Sequence, residues 1–233
     1  MNYQELIQDL KNKKELKDLD ENFILLRVKE YLKDKSVPGN KKSREYKKIF
    51  KDLRRILRKS YGMFRNLNEK RDLEIYKKIF FKIKPKKILD IGCGLDPLEY
   101  SKLIKCKIYC CDISQNIIDK LNNYFKSENI KGKAFIFNLI DEDLDKLPEV
   151  ELCLMLKVLD SIELFKRNYT KEILKRIKAK YFLISFAKRT LSSKRIIKSS
   201  RSWLIRILKE LNYNYELFDY ENEIYFLVNE GLH

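Results

Sequence analysis

Residues 86–100, KKILDIGCGLDPLEY, constrain this chain more than any other stretch. An apolar strand over 86–91 runs into a turn punctuated by Gly92 and Gly94, then into a predicted helix. Asp96 has the position of an N-cap, Pro97 that of the first helical residue, and Glu99 falls three residues after the cap. Glycines at 92 and 94 allow a tight bend and close backbone approach to a ligand. A strand, a G-x-G turn and a helix start form a nucleotide-type cleft at the carboxyl end of a parallel sheet.

A second strand, KIYCCDIS (107–114), carries Asp112, 22 residues after Asp90. That is where an α/β nucleotide site places a carboxylate to accept hydrogen bonds from ribose hydroxyls. The third glycine of the dinucleotide fingerprint is missing. A short turn without a pyrophosphate cradle suits S-adenosylmethionine better than NAD. An αβ turn that needs glycine for its geometry alone is the competing reading.

Downstream the alternation continues. A helix is predicted over 115–127, opened by Ser114, and strands over 133–140 and 150–157, the latter a near-continuous apolar run suited to burial on both faces. Then come a helix through NYTKEILKRIK (168–178), a strand over 181–187, and a helix over 199–212. The strands YELFDY and EIYFLVN, joined by a turn around Glu221–Glu223, read as a hairpin. The expected fold is α/β: a class I (Rossmann-like), seven-stranded methyltransferase sheet. Helices predicted over 3–17, 20–34, 43–60 and 69–83, broken at Pro38-Gly39, place an all-helical domain over 1–84 and the methyltransferase domain over 85–233.

Charge points to the partner. The net charge is +17, and residues 1–84 hold 25 basic against 13 acidic side chains. Residues 41–59 hold ten basic residues and two acidic ones, while Ile49, Phe50, Leu53, Ile56 and Leu57 keep helical spacing for an inward stripe. Residues 188–209 add eight basic residues and no acid, starting where the strand 181–187 ends. Two basic clusters, one beside the cofactor cleft, point to a polyanionic substrate. A lysine-rich helix can also be no more than a solvated face.

Absences narrow the chemistry. His233 is the only histidine, which argues against histidine triads, a histidine metal site and a histidine base; no metal is expected. The cysteines 93, 106, 110, 111 and 153 form no C-x-x-C pair and fit buried, reduced thiols in a cytoplasmic protein. No run approaches the length of a membrane span, and no signal-peptide core is evident.

The segment LDIGCGLDPL (89–98) is similar to the turn D-[IL]-[GA]-C-G-L-[ND]-P of the FmrO-type (Arm/Rmt) 16S ribosomal RNA methyltransferases. CDIS (111–114) resembles that family's acid after the second strand. LMLKVLDSIE (154–163) resembles its L-L-L-K-T-[LI] block, placing Lys157 on the family lysine. ISFAKRTLSSKR (184–195) resembles its S-F-P-T-[RK]-S-L-G-[GQ]-[RK] segment, and Ser43, Arg44 and Glu45 echo its S-T-x-E-R helix start. There are departures: Ala187-Lys188 replace Pro-Thr, Ser192-Ser193 the glycine-rich pair, Ile196-Ile197 the Gly-Met element, and Asn138 an acid.

The resemblance implies methyl transfer from S-adenosylmethionine to N7 of a decoding-site guanine in the small ribosomal subunit, by a monomer, as an aminoglycoside-resistance or a housekeeping enzyme. It implies roles too. Gly92 and Gly94 shape the turn around the methionine part and Asp90 supports its amino group. Asp112 binds the ribose, Ile113 packs on the adenine, and Asn138 and Leu139 line the ring's far side. Lys157 lies near the sulfonium or the base. Arg189, Lys194 and Arg195 hold RNA phosphate or the guanine, and Lys41, Lys42, Arg44, Lys47 and Lys48 make distal RNA contacts.

Guanine N7 carries a free lone pair, so positioning and desolvation suffice and no general base is assigned; Lys157 and Arg189 position. The [DN]-P-P-[YF] element of amino-directed enzymes is absent after the fourth strand, which reads LKVL, and no cysteine follows a proline. A ribose 2′-O reading would use Lys157 with Asp160 or Asp141. A methyltransferase acting on tRNA, a small molecule or a protein would share the same fold, as would a non-catalytic ribosome-assembly factor.

Overall fold

The computed structural model describes residues 3–33, 36–62, 71–188, 201–220 and 222–231. Two compact units emerge: Met1–Asn66 with Ile113–Asn116, and Leu67–Asp112 with Ile117–His233. The predicted domain boundary at residue 84 is therefore displaced.

The reason is α4 (Leu73–Ile83), whose Ile75, Tyr76, Ile79 and Phe80 lie in the core of the sheet unit. Asp72 caps this helix, accepting from the Glu74 amide at 2.9 Å. Helical periodicity alone could not tell which core its apolar face would enter.

The first unit contains α1 (Tyr3–Lys11), α2 (Glu21–Leu32) and α3 (Arg44–Gly62). The predicted 3–17 helix ends at Lys11, and the chain turns before Asp20 caps α2 by accepting from the Phe23 amide at 3.0 Å. Leu6, Leu10, Ile24, Val28, Ile49, Leu53 and Leu57 are buried together, so three of the five residues of the predicted α3 stripe face inward, while Phe50 and Ile56 are half-buried. Ser43 opens α3, its Oγ accepting from the Tyr46 amide at 3.1 Å.

The second unit is a seven-stranded sheet in the order β3-β2-β1-β4-β5-β7-β6. Its strands are β1 (Lys87–Ile91), β2 (Lys107–Asp112), β3 (Gly132–Ile136), β4 (Val150–Leu156), β5 (Ala179–Ala187), β6 (Tyr213–Asp219) and β7 (Glu223–Glu230). The first five are mutually parallel, and β7 enters antiparallel between β5 and β6, as the hairpin predicts. Central strands buried on both faces explain the apolar run at 150–156. The strand order reverses between β1 and β4, and a crevice at that switch point is where such sheets bind ligands.

Three local expectations are corrected. The third strand stops at Ile136, because Asn138 folds the next residues into a turn in which its Oδ1 accepts from the Ile140 amide at 3.1 Å. A helix absent from the sequence reading, α7 (Leu159–Phe165), precedes α8 (Tyr169–Arg176). Asp96 does not cap α5 (Pro97–Tyr100): its backbone is itself helical and its side chain makes no cap bond. That carboxylate pairs with Arg71 instead. The remaining helices are α6 (Gln115–Ser127) and α9 (Ser202–Glu210), and no helix among the described residues is long and apolar enough to cross a membrane.

Candidate functional site

The glycine turn lies at the carboxyl end of β1. Gly92 and Gly94 both adopt positive φ, 62° and 53°, where a Cβ would be strained. Among the described residues, and apart from its two chain neighbours, no atom stands within 4 Å of the place a Cβ would occupy on Gly94, so space opens over the turn. The Gly92 and Cys93 amides both donate to the Cys111 carbonyl, at 2.8 and 3.2 Å. The Gly94 amide donates to Asp112 Oδ2 at 3.2 Å. Three successive turn amides thus aim at the end of β2, leaving no anion cradle for a pyrophosphate. The donor set fits S-adenosylmethionine, whose ribose needs a carboxylate and whose sulfonium needs no anion hole.

Asp112 ends β2 and is 7% exposed. Asp90 sits deeper, where Tyr100 Oη donates to its Oδ2 at 2.9 Å. Burial pushes the Asp90 carboxyl up to about 7, aided by the Asp112 charge and opposed by the Tyr100 hydrogen bond and the Arg71 charge. The folded state therefore keeps a proton that the unfolded chain releases above its ordinary value of 3.8. Stability from this group is lost as pH rises from there to about 7. Asp90→Asn is expected to flatten that decline, read by urea unfolding between pH of about 5 and about 8, a window in which ordinary carboxylates stay ionised. An undiminished slope in the variant would assign it to another group.

The other expected cofactor residues also make contacts within the chain. Ile113 is partly buried against the helical core, its carbonyl accepts from the Asp20 amide at 3.1 Å, and Ser114 bridges Leu19. The Asn138 amide donates to Glu142 at 2.6 Å and its side-chain amide to Asp141, while Leu139 is buried. Asn138 thus shapes its loop through both backbone and side chain.

At the end of β4, Lys157 has φ of 60°, and its amide donates to the Ser185 carbonyl and Oγ, each at 3.1 Å. Its ammonium lies 3.5 Å from Glu223. Asp160, the partner a 2′-O mechanism would want, binds Arg201 at 2.9 Å.

The sequence reading missed the group at the centre of this edge, Arg71. Its Nε donates to Glu223 Oε1 and Oε2 at 3.1 and 3.3 Å, and the guanidinium also pairs with Asp96. Tyr76 Oη reaches Asp96 at 3.4 Å and Ser185 Oγ donates to Glu223 at 2.5 Å. Burial raises the Glu223 carboxyl, but the Arg71 and Lys157 charges and the Ser185 hydrogen bond overcome this and hold it below its usual range. The only local signal was a basic residue ahead of the Asp72 cap, and its partner lies 152 residues away.

On α3 and its approach, Lys41, Lys42, Arg44, Lys47 and Lys48 are all exposed, and Lys41 pairs with Asp9 at 2.7 Å. Arg189, Lys194 and Arg195 lie outside the described residues.

No family model and no curated protein matches the chain. Solved structures do. The 16S rRNA methylase RmtB is 16% identical with a TM-score of 0.73, and RmtF, solved with S-adenosyl-L-homocysteine, is 19% identical with a TM-score of 0.74; each similarity covers 99% of both chains. An rRNA methylase from Escherichia coli, 15% identical with a TM-score of 0.71, is matched over 99% of this chain and 100% of its own. The chain accordingly has the class I methyltransferase fold in the full-length form seen in solved 16S rRNA methylases.

Proposed function

We propose that this protein is an S-adenosylmethionine-dependent methyltransferase acting on small-subunit ribosomal RNA, at N7 of a decoding-site guanine. The observation that carries the reading is the turn at 92–94, whose amides bind β2 and Asp112 at the switch point of a class I sheet. The full-length likeness to solved 16S rRNA methylases, one of them holding S-adenosyl-L-homocysteine, supports the substrate class.

The cofactor supplies a methyl group on a sulfonium, electrophilic enough for a neutral ring nitrogen. The chain's residues hold and orient it. Asp112 accepts from the ribose hydroxyls, the glycine turn admits the methionine part, and the buried Arg71 guanidinium offers donors to its carboxylate. Asp90, whose carboxyl burial pushes up to about 7, carries only part of a charge near neutral pH and supports the turn from below. Lys157, held by Ser185 and Glu223, positions the incoming base, whose N7 needs no deprotonation. The exposed cations Lys42, Arg44, Lys47 and Lys48 meet RNA phosphates, which position a substrate without reading its sequence.

Incubation with radiolabelled S-adenosylmethionine and small ribosomal subunits, then primer extension after borohydride–aniline cleavage, tests this. A stop at a decoding-site guanine is expected. Label elsewhere in the RNA keeps the activity and discards the target. No label in ribosomal RNA, with cofactor binding intact, overturns the substrate and directs the assay to tRNA and small molecules.

A further inference from the structure

A groove of about 1470 Å³ opens at the sheet edge opposite the glycine turn. It lies at the amino ends of β1, β2 and β3 and the carboxyl ends of α4 and α6, with Phe80, Pro85, Leu103, Ile104 and Ile130 in its wall. Seven lysines and a single carboxylate, Glu128, line it. Lys102 pairs with Glu128 at 3.3 Å, and Lys77 with Glu74 at 2.6 Å. The other five, Lys84, Lys86, Lys105, Lys107 and Lys131, are exposed, and none pairs with a carboxylate among the described residues.

Lys84 is the C-cap of α4, where a cation is ordinary. Lys86, Lys105 and Lys107 precede or begin strands, and no helix dipole accounts for them. Gathering like charges on one concave surface costs self-repulsion that an anionic ligand removes. Phe81 stands on the same rim and is 80% exposed, with Lys84 Nζ 5.7 Å from its ring centroid. Cations without carboxylate partners beside an exposed aromatic ring form the pattern that tracks a phosphodiester backbone while stacking a base, although Lys107 also lies over the Tyr109 ring at 5.1 Å.

We propose that this groove is a second RNA site, which grips a single-stranded segment of the substrate RNA away from the reacting base. Phosphates bind Lys84, Lys86, Lys105, Lys107 and Lys131, and one base stacks on Phe81. An acidic protein segment would satisfy the lysines but would leave the exposed ring unexplained. The site rests on the reading that the substrate is RNA, and not on which base is methylated.

The test is lysine acetylation of the full chain, mapped by mass spectrometry, with and without small ribosomal subunits, a mixed-sequence single-stranded RNA, or poly-glutamate. Both RNAs are expected to protect the groove lysines, with poly-glutamate much weaker. Replacing Lys86, Lys105 and Lys131 together by Glu should lower affinity for fluorescein-labelled single-stranded RNA at least about tenfold and flatten its log–log salt slope by about 2, at roughly 0.7 per lost phosphate contact. Phe81→Ala should weaken binding and leave the salt slope intact. Affinity for S-adenosyl-L-homocysteine should stay unchanged in both variants, which reports the fold.

Protection confined to α3, with RNA affinity unchanged in the triple variant, overturns the groove and spares the function. Groove protection by RNA in a protein that labels no ribosomal RNA does the reverse. Equal protection by poly-glutamate overturns RNA as the occupant.

Discussion

Asp112→Ala is expected to weaken S-adenosylmethionine binding at least about 100-fold, measured by titration calorimetry. The carboxylate is the one acidic group that ends β2 beside the glycine turn, and it is 7% exposed. Hydrogen bonds to a charged acceptor contribute about 1.5–3 kcal/mol each, and a ribose diol offers two of them. The substitution also strips the Gly94 amide of its acceptor, which loosens the turn that admits the methionine part. Asp112→Asn separates these effects, because an amide oxygen can still accept from Gly94 while the charge is gone. Wild-type affinity in the alanine variant would remove Asp112 from the site.

Arg71→Met should destabilise the sheet unit by about 3–5 kcal/mol in urea unfolding, the usual cost of stranding one member of a buried ion pair. The guanidinium is 13% exposed and its partner Glu223 7%, so water cannot replace the lost contact. Glu223 keeps Lys157 and Ser185, which sets the penalty toward the lower end. The double variant Arg71→Met, Glu223→Gln should recover part of the loss, since position 223 then carries no buried charge and only Asp96, 28% exposed, lacks its guanidinium. The pH dependence has a defined sign. The Glu223 carboxyl is depressed below its ordinary value of 4.5, so its stability is present above that value and is lost as pH falls through the folded one. Removing Arg71 should shrink that acid-side loss. If Arg71→Met unfolds at the wild-type urea midpoint with an unchanged slope, the network is ornamental.

The place of Asp112 at the end of β2 was legible because its signal is local: a strand, a glycine turn and an acid after the next strand are rules of nearest-neighbour geometry. The same is true of the hairpin 213–230 and of the α3 stripe, where alternation and helical spacing state directly which side faces the core. That the sheet is mostly parallel followed from the alternation of elements, since parallel strands need crossover helices.

Asp96 shows where local rules stop. Its spacing to Pro97 and Glu99 satisfied every capping rule, yet the carboxylate turned to Arg71, because an ion pair with a buried guanidinium outweighs a cap on a helix of four residues. Ile113 and Asn138 likewise make contacts that no local rule states: one packs against the helical core and the other closes its own turn.

What the sequence by itself determined was periodic or contiguous: the seven strands, the glycine turn, Asp112, the apolar stripes and the excess of positive charge. What only the tertiary structure decided was which distant groups meet. Arg71 finds Glu223 across 152 residues, α4 joins the sheet core, and lysines scattered from 84 to 131 converge on one groove. Pattern along a chain records which face of an element is apolar, whereas pairing between elements depends on strand order and packing, which no short window of sequence contains.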